Sequence, residues 1–331
     1  MSGGARETTG VSDRAGDRET AGAEGRETAG AEGREILVIG ASGLVGQLMM
    51  ERFGQRAAGT YATHDMPGLV QLDITDAEAT RRVIDELAPR VIVHTAALTD
   101  VNMCERDPAA SDRVNVAGTR NVAEAAAEVG ARYIFFSTDY VFGDDGPHDV
   151  DRLRMPMNVY GAHKAEAEDV VAELDDHVIL RACNVYGYQR EGKNFAMGIF
   201  ESLLQGRRVL VAVDQWGSPT LASDLVDVAA LLVDSDVRGP VHVAGPDQVT
   251  RLEWARRVAE VNGLDVSLLE PVPYSALGAS APRPRRGGLF ARRTEEMLDI
   301  RFKRLDEGLM AMRAALEEAG VLPRAAPRKS I

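Results

Sequence analysis

The chain of 331 residues is long enough for one large α/β unit or two domains of ordinary size, and its 45% apolar and 27% charged content is typical of a folded globular protein. The formal net charge of −13 argues against a protein that binds the phosphate backbone of nucleic acid. Two cysteines, Cys104 and Cys183, exclude a disulfide framework and a four-thiolate zinc site, and no apolar run approaches the roughly 20 residues that cross a bilayer. We therefore expect a cytoplasmic protein with no metal site and no membrane or nucleic-acid partner.

The first 33 residues carry a repeat. The sequence Arg-Glu-Thr-Ala-Gly-Ala-Glu-Gly occurs at 18–25 and again at 26–33. Neither copy contains a large apolar residue, so neither could bury a core. We expect residues 1–33 to form a disordered acidic tail; the alternative is a short helix that folds on a partner.

Strands and helices alternate from residue 35 onward. The run at 35–40 is apolar, rich in β-branched residues and ends in glycine, which is typical of a buried parallel strand. The pattern predicts further strands at 59–63, 69–72, 91–94, 133–137 and 177–181, and helices at 77–87, at 109–129 and from about 158. Parallel strands joined by helices require right-handed crossovers, so a doubly wound parallel sheet of Rossmann type is expected.

The second half of the chain has longer loops. We expect a dinucleotide-binding domain at 34–187 and a smaller mixed α/β substrate lobe over most of 188–331, interleaved with the first. Because ligands of open α/β sheets bind at the carboxyl ends of the strands, the active site should lie between the two.

A glycine-rich turn follows the first predicted strand and reads Gly40-Ala-Ser-Gly43-Leu-Val-Gly46. Glycines at this spacing permit a tight turn and let the backbone approach a pyrophosphate, which then lies at a helix N-terminus. The position directly after the first strand predicts a dinucleotide-binding site.

The end of the second predicted strand bears on the choice of cofactor. It reads Gly-Thr-Tyr-Ala-Thr63-His64, with no acidic residue where NAD binding would place one, although Asp65 is one step beyond. NADPH is therefore favoured and NADH stays possible. Thr63 and His64 are expected either to contact a 2′-phosphate or to be ordinary loop residues.

Tyr160 and Lys164 form a second motif, Tyr-Gly-Ala-His-Lys, in the last helix predicted before residue 177. Residues four apart lie on one face of a helix, so the phenol and the ammonium should be close. A phenol with an ordinary pKa of about 10 becomes useful in proton transfer near neutral pH when a fixed cation stabilises its phenolate.

A third motif, at 136–143, lies at the carboxyl end of a predicted core strand and includes Ser137, Thr138 and Asp139. A hydroxyl there could donate a hydrogen bond to a substrate carbonyl oxygen. Ser137 and Thr138 alternate in direction, so only one of them should face the site.

With these motifs the chain resembles the extended short-chain dehydrogenase/reductase superfamily and, within it, the dTDP-4-dehydrorhamnose reductase family, over residues 35 to about 316. Segment 214–220, Asp-Gln-Trp-Gly-Ser-Pro-Thr, is close to that family's Asp-Gln-x-Gly-x-Pro-Thr, which dehydrogenases at large do not share. Further segments that are similar to the family are Leu72-Asp73-Ile-Thr-Asp76, His94-Thr-Ala-Ala-Leu-Thr-Asp100, Val114-Asn115 and Asn194-Phe195.

The resemblance implies NAD(P)H-dependent reduction of the 4-keto group of a nucleotide-activated 6-deoxysugar. Tyr160 would be the proton donor, Lys164 would hold the nicotinamide ribose and lower the Tyr160 pKa, and Thr138 would polarise the carbonyl. The cofactor contacts implied are Gly40, Ser42, Gly43, Leu44, Val45, Asp73, Ile74, Ala96 and Ala97. The substrate contacts expected are Thr138, Asp139, Asn184, Asn194, Trp216 and Arg286.

Two departures from the family pattern concern the substrate. Asn184 stands where the family often carries tryptophan, and Arg286 and Gly287 replace the asparagine and serine of Arg-Pro-x-Asn-Ser-x-Leu. An extra guanidinium suits a diphosphate or another anion. These two departures leave open the reduction of another ketone, or an epimerisation, by Thr138, Tyr160 and Lys164.

A third hypothesis is a non-catalytic dinucleotide-binding subunit like the β subunit of methionine adenosyltransferase, against which the intact catalytic residues argue. A homodimer is also possible. We expect His94, Trp216 and Trp254 to be packing residues, with Trp216 alternatively lining the site.

Overall fold

The computed structural model describes residues 34–190 and 194–323, so the repeat expected to be a disordered tail lies outside the described residues. The strands are β1 (Ile36–Ile39), β2 (Ala57–Tyr61), β3 (Val70–Gln71), β4 (Val91–His94), β5 (Arg132–Thr138), β6 (His177–Ala182), β7 (Val185–Tyr186), β8 (Val209–Ala212), β9 (Trp216–Gly217), β10 (Thr220–Leu221), β11 (Gly239–Val243), β12 (Val249–Thr250) and β13 (Leu269–Val272). The α-helices are α1 (Leu44–Phe53), α2 (Ala77–Leu87), α3 (Val101–Arg106), α4 (Pro108–Asp112), α5 (Gly118–Val129), α6 (Val159–Ala172), α7 (Phe195–Leu204), α8 (Ala222–Val233), α9 (Arg251–Asn262), α10 (Arg292–Leu298) and α11 (Leu305–Glu318).

Seven of these strands form one parallel sheet in the order β11-β6-β5-β4-β1-β2-β3. The chain steps outward from β1 to β3, returns to β4 and then proceeds to the opposite edge, which is the doubly wound arrangement expected from the sequence. The predicted fold class is confirmed.

Helices cover both faces of the sheet because its strands are apolar on both faces. Strand β1 reads Ile-Leu-Val-Ile, and none of its side chains is more than 1% exposed. Ile36 and Val38 belong to the core on one face, and Leu37 and Ile39 belong to the core on the other. Strand β11 comes from the second half of the chain and pairs with β6, while α8 packs on α1. These elements bring part of the second half back to the first sheet.

A second core lies beneath α7, α9 and α11 and is centred on Trp254. Its indole is 1% exposed and has ring centroids 5.4 Å from Tyr186 and 4.7 Å from Phe195. The expected packing role is therefore confirmed for Trp254. Trp216 differs, because it is 39% exposed.

Strand β2 begins and ends two residues earlier than the sequence predicts. The small residues Ala57, Ala58 and Gly59 pair with β1, and the strand ends at Tyr61. The prediction of a strand at 59–63 is thus wrong at both ends. The bounds of this strand were misplaced because its residues have small side chains, which give a weak apolar pattern.

The helix predicted at 109–129 is interrupted by a π-helical turn at Arg113–Ala117. Within that turn, the carboxamide of Asn115 donates a 3.0 Å hydrogen bond to the Leu98 carbonyl and accepts a 2.9 Å bond from the Leu98 amide. A widened turn of this kind redirects one side chain without ending the helix. It ties α4 and α5 to the loop after β4.

His94 at the end of β4 is fully buried, as expected for a packing residue, and its Nδ1 lies 2.5 Å from the Tyr133 hydroxyl. Burial lowers the pKa of His94 to about 3, so the imidazole is neutral. Across the described parts of the chain, no helix is long and apolar enough to cross a membrane.

Candidate active site

A cleft of about 520 Å³ opens at the carboxyl ends of β1, β4, β5 and β6. It is lined by residues at and after the ends of those strands, by residues of α1, α6 and α8, and by Asn194, which immediately precedes α7. The residues predicted from sequence that line it are Gly43, Leu44, Val45, Ala97, Thr138, Asp139, Tyr160, Lys164, Asn184 and Asn194. The cleft lies at the edge of the sheet where the topology predicts a ligand.

The glycine turn at one end of the cleft fits the phosphates of a dinucleotide. Gly40 has φ of +86°, and a Cβ there would lie 2.7 Å from the backbone nitrogen of Ala96. Helix α1 begins after Gly43, whose missing side chain leaves the first amides of the helix uncapped. These amides and the helix dipole provide a cradle for an anion. Ser42 lies in the same turn, and its carbonyl accepts a 2.7 Å bond from the Gln47 side chain.

The residues expected near adenosine lie outside the lining of this cleft. Thr63 and His64 are exposed beyond the end of β2, with Oγ1 and Nδ1 3.0 Å apart. Asp73 accepts a 2.9 Å bond from the Thr75 amide, and Ile74 is buried in the core. The structure therefore places these four residues in the segments that follow β2 and β3, outside the lining of this cleft.

Helix α6 brings Tyr160 and Lys164 into the cleft. Its first turn is capped by Asn158, whose Oδ1 accepts a 2.8 Å bond from the Gly161 amide. Tyr160 is 8% exposed and Lys164 is 2% exposed. Lys164 Nζ donates a 2.6 Å hydrogen bond to the Phe136 carbonyl and lies 3.7 Å from the ring centre of Phe135. The ammonium is thus held over β5.

Thr138 is the last residue of β5 and Asp139 follows it, and both line the same cleft. Thr138 Oγ1 donates a 3.3 Å bond to Asp139 Oδ1, and Asp139 Oδ2 accepts a 3.0 Å bond from the Cys183 thiol. The Ser137 hydroxyl instead donates a 2.6 Å bond to Glu168. Both Ser137 and Thr138 line the cleft, so the prediction that only one of them faces the site is wrong at the level of the residues. Their hydroxyls nevertheless have different partners, Glu168 for Ser137 and Asp139 for Thr138.

Burial dominates the titration of these groups. It raises the pKa of Tyr160 above its ordinary value, and the nearby Asp139 carboxylate raises it further. Burial also lowers the pKa of Lys164 to about 7, against the effect of Glu168, and raises the pKa of Asp139. The net pKa of Tyr160 is raised because desolvation of the phenol prevails, and the predicted lowering by Lys164 stays a prediction.

The substrate end of the cleft contains Asn184 and Asn194. Asn194 caps α7 by accepting a 3.2 Å bond from the Met197 amide. Asn184 has φ of +49°, and its Oδ1 accepts a 2.5 Å bond from Arg251. Trp216 and Arg286 lie outside the cleft lining: both are exposed, and their backbones form an isolated parallel bridge.

Gly46 of the glycine turn and Ser137 of the third motif also line the cleft. Several further lining residues were not predicted as contacts: Thr95, Thr99, Val101, Phe136, Tyr140, Ala182, Val185, Gln189 and Leu225. Thr95, Thr99, Phe136 and Tyr140 lie within quoted motifs and could have been found there, whereas Gln189 and Leu225 carry no sequence signal. Over residues 34–190 and 194–323, no group of three or more His, Cys, Asp or Glu side chains is placed to hold a metal ion.

The doubly wound sheet, its glycine turn and the Tyr160 and Lys164 pair define a dinucleotide-binding protein of the extended short-chain dehydrogenase/reductase class. A family model described as the RmlD substrate binding domain matches residues 34–318. The chain belongs to this family, and its resemblance to the dTDP-4-dehydrorhamnose reductases is confirmed.

Relatives with different names match most of the chain. A dTDP-4-dehydrorhamnose reductase of Streptomyces griseus is 35% identical over 258 residues, covering 75% of this chain and 83% of that protein. Methionine adenosyltransferase 2 subunit beta of Bos taurus is 31% identical over 274 residues, covering 79% of this chain and 82% of that protein. The crystal structure of a dTDP-4-dehydrorhamnose reductase from Bacillus anthracis in complex with NADP has a TM-score of 0.77 at 28% identity and covers 85% of this chain and 98% of its own.

Proposed function

We propose that this cleft reduces the 4-keto group of a nucleotide-activated 6-deoxysugar, with NADPH as the preferred reductant and NADH as a possible one. The protein is an NAD(P)H-dependent oxidoreductase, as expected from sequence. The observation that carries the proposal is that one cleft contains the hydroxyl of Thr138, the phenol of Tyr160, the ammonium of Lys164 and the glycine turn. The NADP bound by the Bacillus anthracis relative supports the choice of cofactor.

The proposed proton transfer belongs to Tyr160. A bound nicotinamide supplies a hydride to the ketone carbon. As negative charge develops on the ketone oxygen, the Tyr160 O–H bond breaks and a new O–H bond forms at that oxygen. The raised pKa of Tyr160 keeps the phenol protonated until that moment. Thr138 donates a hydrogen bond to the same oxygen in place of its 3.3 Å bond to Asp139.

Lys164 is proposed to orient the cofactor and to stabilise the phenolate that Tyr160 leaves behind. Its Nζ is already fixed over β5 by the Phe136 carbonyl, so little conformational entropy is lost when a ribose hydroxyl approaches. The backbone of the turn from Gly40 to Val45 would hold the pyrophosphate, with Ala96 and Ala97 beside it.

The remaining predicted roles concern recognition. Thr63, His64, Asp73 and Ile74 are proposed for the adenosine end of the cofactor, which lies beyond the cleft. A nucleotide-sugar substrate fits the family, with Asp139, Asn184 and Asn194 at its sugar. Trp216 and Arg286 would reach the substrate only from the rim.

Other expectations from the sequence stay predictions. These are a cytoplasmic location, a homodimer, the absence of a nucleic-acid partner, a disordered tail, and the division into domains at 34–187 and 188–331.

The direct test measures loss of nicotinamide absorbance with dTDP-4-dehydrorhamnose as the ketone, with NADPH and NADH in parallel. Turnover with NADPH at a lower KM than with NADH supports the proposal and the cofactor preference. If both cofactors bind but neither that ketone nor other nucleotide 4-keto sugars are reduced, the ketoreductase proposal fails.

The similarity to the bovine subunit favours one second candidate, a regulatory partner of a methionine adenosyltransferase. A binding subunit does not need a buried phenol and ammonium in its dinucleotide cleft, and this chain has both. Size-exclusion chromatography with a methionine adenosyltransferase catalytic subunit tests this candidate. A stable complex together with no ketone turnover would reverse the order of the two functions.

A further inference from the structure

Arg251 lies at the first position of α9, behind the substrate end of the cleft. Its guanidinium carbon is 4.7 Å from the ring centre of Phe195 and 5.3 Å from that of Trp254. The Arg251 Nη2 donates a 2.5 Å hydrogen bond to the Oδ1 of Asn184. The guanidinium lies over two aromatic rings, which restrict its movement, and its side chain donates a hydrogen bond to an amide.

This contact decides which way the carboxamide of Asn184 is turned. A guanidinium has only donors, so the atom facing Arg251 must be the amide oxygen. The amide nitrogen is then turned away from Arg251. The two orientations of a carboxamide differ only in the hydrogen bonds that they make, and here a donor-only partner permits one of them.

The backbone conformation of Asn184 and the absence of a side chain at Gly217 both permit this orientation of the carboxamide. Asn184 has φ of +49°, a conformation that asparagine and aspartate tolerate better than most residues. A Cβ on Gly217 would lie 2.0 Å from Asn184 Nδ2, so the amide nitrogen occupies space that exists only above a glycine. Asn184 lines the cleft, and no hydrogen bond from its Nδ2 is found within residues 34–190 and 194–323.

We propose that Arg251 is a positioning residue that holds Asn184 as a hydrogen-bond donor to an oxygen of the substrate's sugar. This inference rests on the proposed function, and it specifies the substrate: a hexose that presents a hydroxyl oxygen to this wall. A site built to bond a hydroxyl discriminates strongly against an analogue that lacks it, because the buried polar group is then left without a partner.

Asn184→Asp isolates the donor. The carboxylate has the same shape, tolerates the same backbone conformation and accepts the Arg251 hydrogen bond, but it has no hydrogen to donate. The KM for the keto sugar nucleotide should rise about tenfold, with kcat and the Kd for NADPH changed by less than about threefold. A KM within about twofold of wild type would overturn the proposal.

Arg251 is tested by a pair of variants. Arg251→Lys retains a side chain that can only donate hydrogen bonds, so its KM should stay near the wild-type value. Arg251→Met removes the donor, so the Asn184 carboxamide can take either orientation, and KM should rise about as much as in Asn184→Asp. Because both residues act through one amide, Arg251→Met combined with Asn184→Asp should be no worse than Asn184→Asp alone. Additive losses, or equal KM values for the Lys and Met variants, would contradict a positioning role. Arg256→Met, on the exposed side of the same helix, is the matched control.

The same variants separate this inference from the proposed function. If the wild-type protein reduces no keto sugar nucleotide, the proposed reaction fails, and the Kd of a dTDP-6-deoxyhexose measured by calorimetry then replaces KM. Asn184→Asp should weaken that binding about tenfold if the donor role is correct. Equal affinity of wild type and variant would reject it.

Discussion

The hydroxyl of Ser137 donates a 2.6 Å hydrogen bond to Glu168, and this contact joins β5 to α6 beside the proposed reacting groups. Glu168 follows Lys164 by one helical turn, and Ser137 precedes Thr138. Two nitrogens of Arg181 on β6 donate to the same carboxylate at 2.9 and 2.8 Å, and Arg154 donates to it at 3.2 Å. Because Glu168 is 1% exposed, this buried cluster fixes the strand that carries the hydroxyl relative to the helix that carries the phenol.

Glu168→Gln should destabilise the protein severely. It keeps the shape of the side chain but removes the charge, which leaves the buried guanidinium of Arg181 without an anionic partner. Breaking a buried pair in this way costs about 3–5 kcal/mol, measured as the free energy of unfolding in urea. Glu166→Gln, at an exposed position of the same helix, should change that free energy by less than about 0.5 kcal/mol. Equal stability of the two variants would show that the cluster holds nothing together.

Tyr160→Phe should separate chemistry from binding. The ring still fills its buried position and contacts Tyr140 edge to face, but no proton is available for the ketone oxygen. We expect kcat to fall about 10²- to 10⁴-fold while the Kd for NADPH stays within about twofold. Stopped-flow turnover and fluorescence titration measure the two quantities. Tyr133→Phe is the control, since that phenol is equally buried but bonds His94 outside the cleft.

In the Tyr133→Phe control, kcat should be retained while stability falls by about 1 kcal/mol. Comparable loss of turnover in the two variants would mean that Tyr160 has only a packing role.

The fold could be predicted from sequence because parallel strands that are buried on both faces have unbroken runs of apolar residues. Strand β4 has the predicted bounds for this reason, whereas α2 has them because its amphipathic pattern is that of a helix with one buried face. Strand β2 was displaced by two residues because Ala57, Ala58 and Gly59 carry no strong apolar signal. The π-helical turn escaped prediction because its cause, the bond between Asn115 and Leu98, joins separate elements.

The site shows the same division. Glycine spacing and helical periodicity are local, so they were enough to place Gly43, Tyr160 and Lys164 in one cleft. The pKa of Tyr160 depends on desolvation by residues from the whole fold, and the spacing of Tyr160 and Lys164 carries no information about that burial. Arg251 had no signal, because its importance comes from a contact with Asn184 that is 67 residues away in the chain.

Gly40→Ala should damage both the glycine turn and the cofactor site. A Cβ there meets the Ala96 backbone at 2.7 Å, and φ of +86° is strained for alanine. Such a conformation costs about 1–3 kcal/mol, and we expect the Kd for NADPH to rise at least about tenfold as the turn shifts. Isothermal titration calorimetry measures the Kd.

Gly198→Ala is the matched control for this substitution. Gly198 lies inside α7, where a Cβ would have no atom within 4 Å. This variant should be more stable by about 0.5–1 kcal/mol and bind NADPH unchanged. If the two alanine variants bound NADPH equally well, the turn from Gly40 would not be the phosphate site.

The stability of the protein without cofactor should depend on pH through Lys164. Burial lowers the pKa of Lys164 from 10.5 to about 7, so between these values the unfolded chain holds a proton that the folded chain has released. The free energy of unfolding therefore rises with pH across this window, by at most about 1.4 kcal/mol per pH unit. In Lys164→Met the group is absent, so the wild-type protein should gain about 2 kcal/mol relative to the variant between about pH 7.5 and about pH 9. Urea unfolding of both proteins at the two pH values measures this difference. A difference that does not change with pH would mean that the ammonium is not desolvated over β5.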